Sequence, residues 1–239
     1  MCDCLATSAA PAPSRRRFLG GAAALAALAS SARVLAADTP LPDNRIGPAA
    51  ALERLVQGNA RYVAGRTRQR NFSVGRVART TGQRPFAAIL SCADSRIAPE
   101  LAFDQGPGDL FVVRLAGNFV NDDALASMEY AIQFLEVPLI LVLGHTNCGA
   151  VAAAIKVVQE GTQLPGHLPG LVNAIRPAVD AASRRQPDNL LTAATEQNVR
   201  LNVARLTTAD PILAGRMSTG AIRAVGGVYD LASGKVSLV

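Results

Sequence analysis

Two short segments, Cys92-Ala93-Asp94-Ser95-Arg96 and Gly144-His145-Thr146-Asn147-Cys148-Gly149, hold residue types that can bind a metal ion and put it to work. Cys92, His145 and Cys148 offer two thiolates and one imidazole, three of the four ligands of a tetrahedral zinc, and an open fourth position is what makes a zinc site catalytic rather than structural. Two thiolates and a neutral imidazole cancel the charge of a divalent ion. A water at the open position therefore gains less electrostatic help than three neutral histidines would give it. Asp94 can supply the missing assistance by accepting a hydrogen bond from the attacking oxygen and orienting its lone pair. Arg96 can hold that carboxylate away from the metal; released, Asp94 is itself a possible fourth ligand that would close the site. Either segment alone is a weak signal, because a buried cysteine or a hydrogen-bonded histidine at a helix start is common. The weight comes from finding both in a chain with four cysteines and two histidines, of which Cys2 and Cys4 stand at the extreme N-terminus.

Both segments follow apolar runs that read as strands, Phe86–Ser91 before Cys92 and Leu139–Leu143 before His145. Leu110–Arg114 is a third strand. Helical stripes fall over 49–65 (Leu52, Leu55, Val56, Tyr62), over 121–135 (Leu125, Met128, Ile132, Leu135, behind the cap-type Asn121), and after Gly149 (Val151, Ile155, Val158). Leu171–Ser183 and Leu190–Thr207 are two more helices, whereas 66–84 and 161–170 read mainly as loops. The tail, Ala221–Val239, reads as a closing hairpin turning at Asp230–Gly234. Apolar strands alternating with helices predict an α/β fold, a mostly parallel central sheet flanked by helices, with both chemical segments at carboxyl ends of strands.

At 239 residues the chain has room for one domain with a full core. Its formal net charge of +6 suggests a nucleic-acid partner until its distribution is read. Residues 1–37 read as a twin-arginine signal peptide: Arg15-Arg16-Arg17-Phe18-Leu19, a soft Ala/Gly-rich stretch, then small residues near Ala36-Ala37. Its loss removes four arginines (Arg15, Arg16, Arg17, Arg33) and Asp3, so +6 becomes +3. No nucleic acid is expected as a partner. The apolar stretch falls short of the roughly 20 residues of a membrane span, so no stable membrane insertion is expected after processing; the alternative is an anchor formed by an uncleaved leader. Residues 38–48, with three prolines, read as a linker to a domain over 49–239. Export as a folded protein to the periplasm would suit two thiols that must meet metal before they meet an oxidant.

The motifs CADSR and HTNCG, with Asn198-Val199-Arg200-Leu201 and the closing Gly226-Gly227-Val228-Tyr229-Asp230, resemble the β-class carbonic anhydrases from about residue 49 to the C-terminus. The resemblance implies one zinc per subunit on Cys92, His145 and Cys148, an Asp94–Arg96 catalytic dyad, and reversible hydration of carbon dioxide to bicarbonate. It further implies an obligate homodimer, or a higher even-numbered homo-oligomer, with active sites at the subunit interface. Gln83 aligns with a glutamine that hydrogen-bonds substrate in open-site members. Phe111 and Tyr130 align with aromatics lining the carbon dioxide pocket, partly from the partner subunit. Arg114-Leu115-Ala116-Gly117-Asn118 departs from the Arg-Asn-Val-Ala-Asn of many plant sequences, which changes the pocket's shape. The competing expectations are a carbonyl sulfide or carbon disulfide hydrolase on the same scaffold, a non-catalytic zinc- or bicarbonate-binding protein, and a redox protein pairing Cys92 with Cys148.

Overall fold

Residue 41 and residues 43–239 are described by a computed structural model. The leader and cleavage site expected over 1–37 lie outside them. The chain divides into two compact units, one made of 41–72 and 82–239, the other including 73–81. The described part of the second is a turn leading into a 3-10 helix, Ala78–Thr80, where Thr80 Oγ1 donates to the Val77 carbonyl at 2.7 Å.

The larger unit is built on α1 (Pro48–Val63), β1 (Ala87–Ser91), α2 (Pro99–Ala102), β2 (Leu110–Arg114), α3 (Asp122–Phe134) and β3 (Leu139–His145). Then come α4 (Gly149–Glu160), α5 (Leu168–Ser183), α6 (Leu190–Thr207), α7 (Ile212–Ser218), β4 (Arg223–Tyr229) and β5 (Val236–Leu238). The strands form one sheet in the order β2-β1-β3-β4-β5. All neighbours are parallel except β4 and β5, which make the expected closing hairpin. From β1 the chain leads one way to β2, and from β3 the other way to β4, so the crevice between the ends of β1 and β3 is a topological switch point.

Side chains alternate across this sheet as strand geometry requires. Ala88, Leu90, Ile140 and Val142 face α3, α6 and α7; Ala87, Ile89, Leu139, Leu141 and Leu143 face α1 and α2. Burial on both faces explains why β1 and β3 read as unbroken apolar runs. The Asn121 cap is present: its side chain accepts from the Ala124 N–H at 2.9 Å. The stripe on α1 differs from expectation. Ala51, Leu55, Gly58 and Asn59 turn inward and Val56 is exposed. The reason is Gly58, where an added Cβ would lie 1.8 Å from the Phe103 carbonyl oxygen; a bare backbone is what lets this face approach. The end of the expected linker is also held in place, since buried Asn44 donates to the Arg84 carbonyl at 2.7 Å and accepts from Arg54 Nη1 at 2.6 Å. Among the described residues no helix is long and apolar enough to cross a membrane.

Asp104, at φ 48° just after α2, ties the 61–70 segment to the domain. Its side chain is 1% exposed and meets Arg61 Nε at 2.6 Å and Arg70 Nη1 at 2.5 Å. Burial favours its neutral form, but Arg70, Arg61 and the Arg68 amide outweigh burial and hold its pKa below the usual value. A depressed pKa contributes stability that is complete above the unfolded value, about 3.9. That contribution is lost as pH falls from there through the folded value. Asp104→Asn should cost about 2–3 kcal/mol at pH 7 in denaturant unfolding, with the gap between variant and parent closing below about pH 4. The figure is set below that of a fully buried pair because the arginines remain 24% and 23% exposed.

Candidate metal centre

Ser91 of β1 lies opposite Leu143 of β3. The next residue after β1 is Cys92, and two residues beyond Leu143 is His145, so the pairing alone delivers a thiol and an imidazole to one crevice. Cys148 follows after the tight turn through Asn147, at φ 55°, and stands as the N-cap of α4. One ligand atom from each of Cys92, His145 and Cys148 lies within 4.8 Å of the other two, and all three residues are buried. Both thiols are free. Helices α4, α5 and α6 close over the two cysteines with Val151, Val172, Ile175 and Val179, which keeps this corner dry.

The imidazole is oriented for a metal. His145 Nδ1 is 2.9 Å from the Thr146 carbonyl oxygen, which can only accept, so Nδ1 carries the proton and Nε2 presents its lone pair. Nε2 is buried and has no hydrogen-bond partner. An orphaned nitrogen facing two sulfurs is a set of donors that could hold a cation, and their types suit zinc. The turn after His145 is fixed from β4, through Thr146 N–H to the Tyr229 carbonyl at 2.9 Å and Leu231 N–H to Thr146 Oγ1 at 3.0 Å.

The electrostatics agree. Cys92 is pushed well down by the hydrogen bond from the Cys148 thiol, against burial and with help from His145 and from the Gly117 and Asp94 amides. Cys148 is pushed up by the same shared proton and by burial, while the Val151 and Ala150 amides at the start of α4 pull the other way. Burial lowers His145, but Cys92, the Thr146 carbonyl and Asp94 outweigh it and raise its pKa. A bound dication would take the place of the proton that the two thiols share.

Asp94 stands beside the three and outside their group. Arg96 grips it with both arms, Nε to Oδ1 at 2.9 Å and Nη2 to Oδ2 at 2.7 Å, and the Arg96 amide adds a third bond to Oδ1 at 3.0 Å. The Arg96 hydrogen bonds hold the Asp94 carboxyl well below the usual carboxylate range, so it only accepts. Asp94 Oδ2 lies 3.8 Å from His145 Nε2, near the open side and too far to bond to it.

Arg114, which ends the strand expected over 110–114, has a role that residue type does not reveal. It lies opposite Ser91 in the β1–β2 register and donates to the Cys92 carbonyl at 3.0 Å and the Asp94 carbonyl at 2.6 Å. Only the strand pairing reveals that role. Gln83 is exposed. Phe111 and Tyr130 form a tilted pair with centroids 6.3 Å apart, and Tyr130 and Phe134 a second at 5.3 Å. Phe111 sits opposite Ala88, four residues short of Cys92, a run of about 13 Å along the strand. A single chain therefore does not bring these aromatics to the Cys–His group; Phe111 lies on the outer strand β2, and Tyr130 and Phe134 lie on α3, open to solvent.

The carbonic anhydrase family profile matches residues 87–236. Carbonic anhydrase 2 of Mycobacterium tuberculosis is 41% identical over 192 residues, covering 80% of this chain and 92% of that protein. The solved β-carbonic anhydrase CcaA superposes with a TM-score of 0.59 at 30% identity, over 78% of this chain and 94% of the other. A Coccomyxa β-carbonic anhydrase, solved with acetazolamide, gives 0.61 at 25% identity, over 79% and 81%. With a matching profile over most of its length, and with two thiols and an imidazole gathered at its switch point, the chain belongs to the β-class carbonic anhydrase family.

Proposed function

We propose that this protein hydrates carbon dioxide reversibly, with Cys92, His145 and Cys148 holding one zinc ion per subunit and Asp94 with Arg96 acting on the attacking oxygen. The observation that carries the reading is the orphaned Nε2 of His145 facing two free thiols beside a clamped carboxylate. Zinc, when bound, supplies the Lewis acidity that brings a water's pKa toward neutrality. The chain does the rest. Asp94, ionised throughout the working pH range, accepts a hydrogen bond from the nucleophile and turns a lone pair toward carbon. Arg96 keeps that carboxylate engaged, so it orients rather than ligates. Arg114 fixes the backbone on either side, and the apolar helices exclude water from the sulfurs.

Gln83, Phe111 and Tyr130 form the carbon dioxide subsite across a homodimer, which suits a half-buried Phe111 on β2 beside a Tyr130 left exposed on α3. An apolar wall fits a linear nonpolar substrate, and one amide donor fixes its oxygen. Residues 1–37 would export the folded protein by the twin-arginine route; an N-terminal sequence of the periplasmic form tests this.

The deciding experiment measures metal content and stopped-flow hydration on one purified sample. Chelation should remove zinc and reduce hydration to the uncatalysed rate, and stoichiometric zinc should restore it. A chelated, metal-free sample that keeps its rate would end the proposal.

A further inference from the structure

The amide that reaches Cys92 belongs to Gly117, whose N–H lies 3.3 Å from the Cys92 sulfur. That residue's own carbonyl is taken by Asn198, in the middle of α6 and 2% exposed, whose Nδ2 donates to it at 2.8 Å. Gly117 has φ +81°, and an added Cβ would lie 2.5 Å from Ile175 Cδ1 and 3.2 Å from Ala150 Cβ, so glycine is required there. The N–H belongs to the Ala116–Gly117 peptide and the carbonyl to the Gly117–Asn118 peptide, and a glycine between two peptide planes has no side chain to fix the angle between them. Asn198 holds the second plane from outside, together with the Asn118 N–H, which donates to the Leu115 carbonyl at 2.9 Å. Asn202, one turn on, accepts from the Val120 N–H at 2.7 Å and donates to the Asn198 carbonyl at 2.8 Å, holding the far end of the same loop. Helix α6 is in turn locked to the sheet. Val199 occupies the notch left by two glycines, lying 2.7 Å from where a Cβ on Gly144 would sit and 2.6 Å from one on Gly226.

We propose that Asn198 is a positioning residue for the metal centre: by holding the Gly117–Asn118 peptide it sets the φ and ψ of Gly117, so that the preceding peptide aims its N–H···S hydrogen bond at Cys92 and reduces that sulfur's electron donation to a bound metal. The inference rests on the metal centre proposed above. A thiolate that accepts an N–H gives up less charge to its metal, which stays the stronger Lewis acid; outer partners of this kind tune metal sites. The effect matters in a site whose two thiolates otherwise nearly neutralise the cation. Asn198 touches neither metal nor substrate and acts through Gly117 alone.

Cobalt(II)-substituted protein tests this, because the sulfur-to-cobalt charge-transfer band reports donation independently of turnover. In Asn198→Leu the band should move to lower energy and the pH midpoint of kcat should rise by about half a unit to one unit, the reach of one hydrogen bond. Asn198→Ala makes the same test should the leucine variant fail to fold. Leu206→Ala is the structural control: it empties a fully buried site at the far end of the same helix, so it should lower the melting temperature and leave band and midpoint at wild-type values. An unmoved band in the Asn198 variants, or an equal shift in Leu206→Ala, overturns the proposal. Failure of the parent protein to bind cobalt or to hydrate carbon dioxide would sink the centre itself, and is seen before any variant is compared.

Discussion

Asp94→Asn should keep a full complement of zinc and lose about 10²–10⁴-fold in kcat/KM for carbon dioxide hydration, the usual worth of a positioned acid–base group. Asparagine matches the shape and can still accept the Arg96 backbone amide, now 3.0 Å from Oδ1. It cannot keep the two-armed ion pair, which needs a carboxylate for both 2.9 Å and 2.7 Å contacts. Its amide also presents a donor where the attacking oxygen needs an acceptor. Zinc should stay, because Asp94 lies outside the Cys92–His145–Cys148 group. Atomic absorption and stopped-flow measurements on one preparation check the pair of outcomes. A metal-replete variant turning over at the parent rate would remove Asp94 from the mechanism.

Cys148→Ser should do the reverse, leaving a folded protein with zinc near background and hydration at the uncatalysed rate. A neutral serine hydroxyl is a poor substitute for a thiolate ligand. The position makes the experiment clean. Cys148 is the N-cap of α4 with its sulfur toward the Ala150 and Val151 amides, and serine, among the preferred caps, can accept from the same amides. Helix α4 should therefore be no weaker, and circular dichroism should match the parent while metal content collapses. Retention of stoichiometric zinc at full rate would show that the third ligand lies elsewhere.

The parts of this molecule legible in its sequence are those where a local pattern and a long-range contact demand the same residues. Cys92 and His145 were legible because each ends a strand buried on both faces, and such strands stand out as apolar runs. Asn121 could be read because capping is satisfied within four residues. The short helices α2 and α7, of 4 and 7 residues, were missed because they are too brief to show a period. Val56 was misplaced because the inward face of α1 is decided by Gly58 meeting Phe103, a contact 45 positions away in the chain. Arg114 and Asn198 stand in segments the family resemblance picks out, but their roles are not legible for the same reason. Their partners are backbone atoms of Cys92, Asp94 and Gly117, and a main-chain acceptor leaves no trace in residue type.

The β1–β3 pairing has a consequence for assembly. A slip of one position would turn Cys92 to the opposite face of its strand and carry it about 3.3 Å along, out of reach of an ion shared with His145. At the proposed centre, metal uptake would proofread the alignment of the two central strands: only chains threaded correctly through the middle of the molecule could be charged, and a misaligned chain would stay empty and inert.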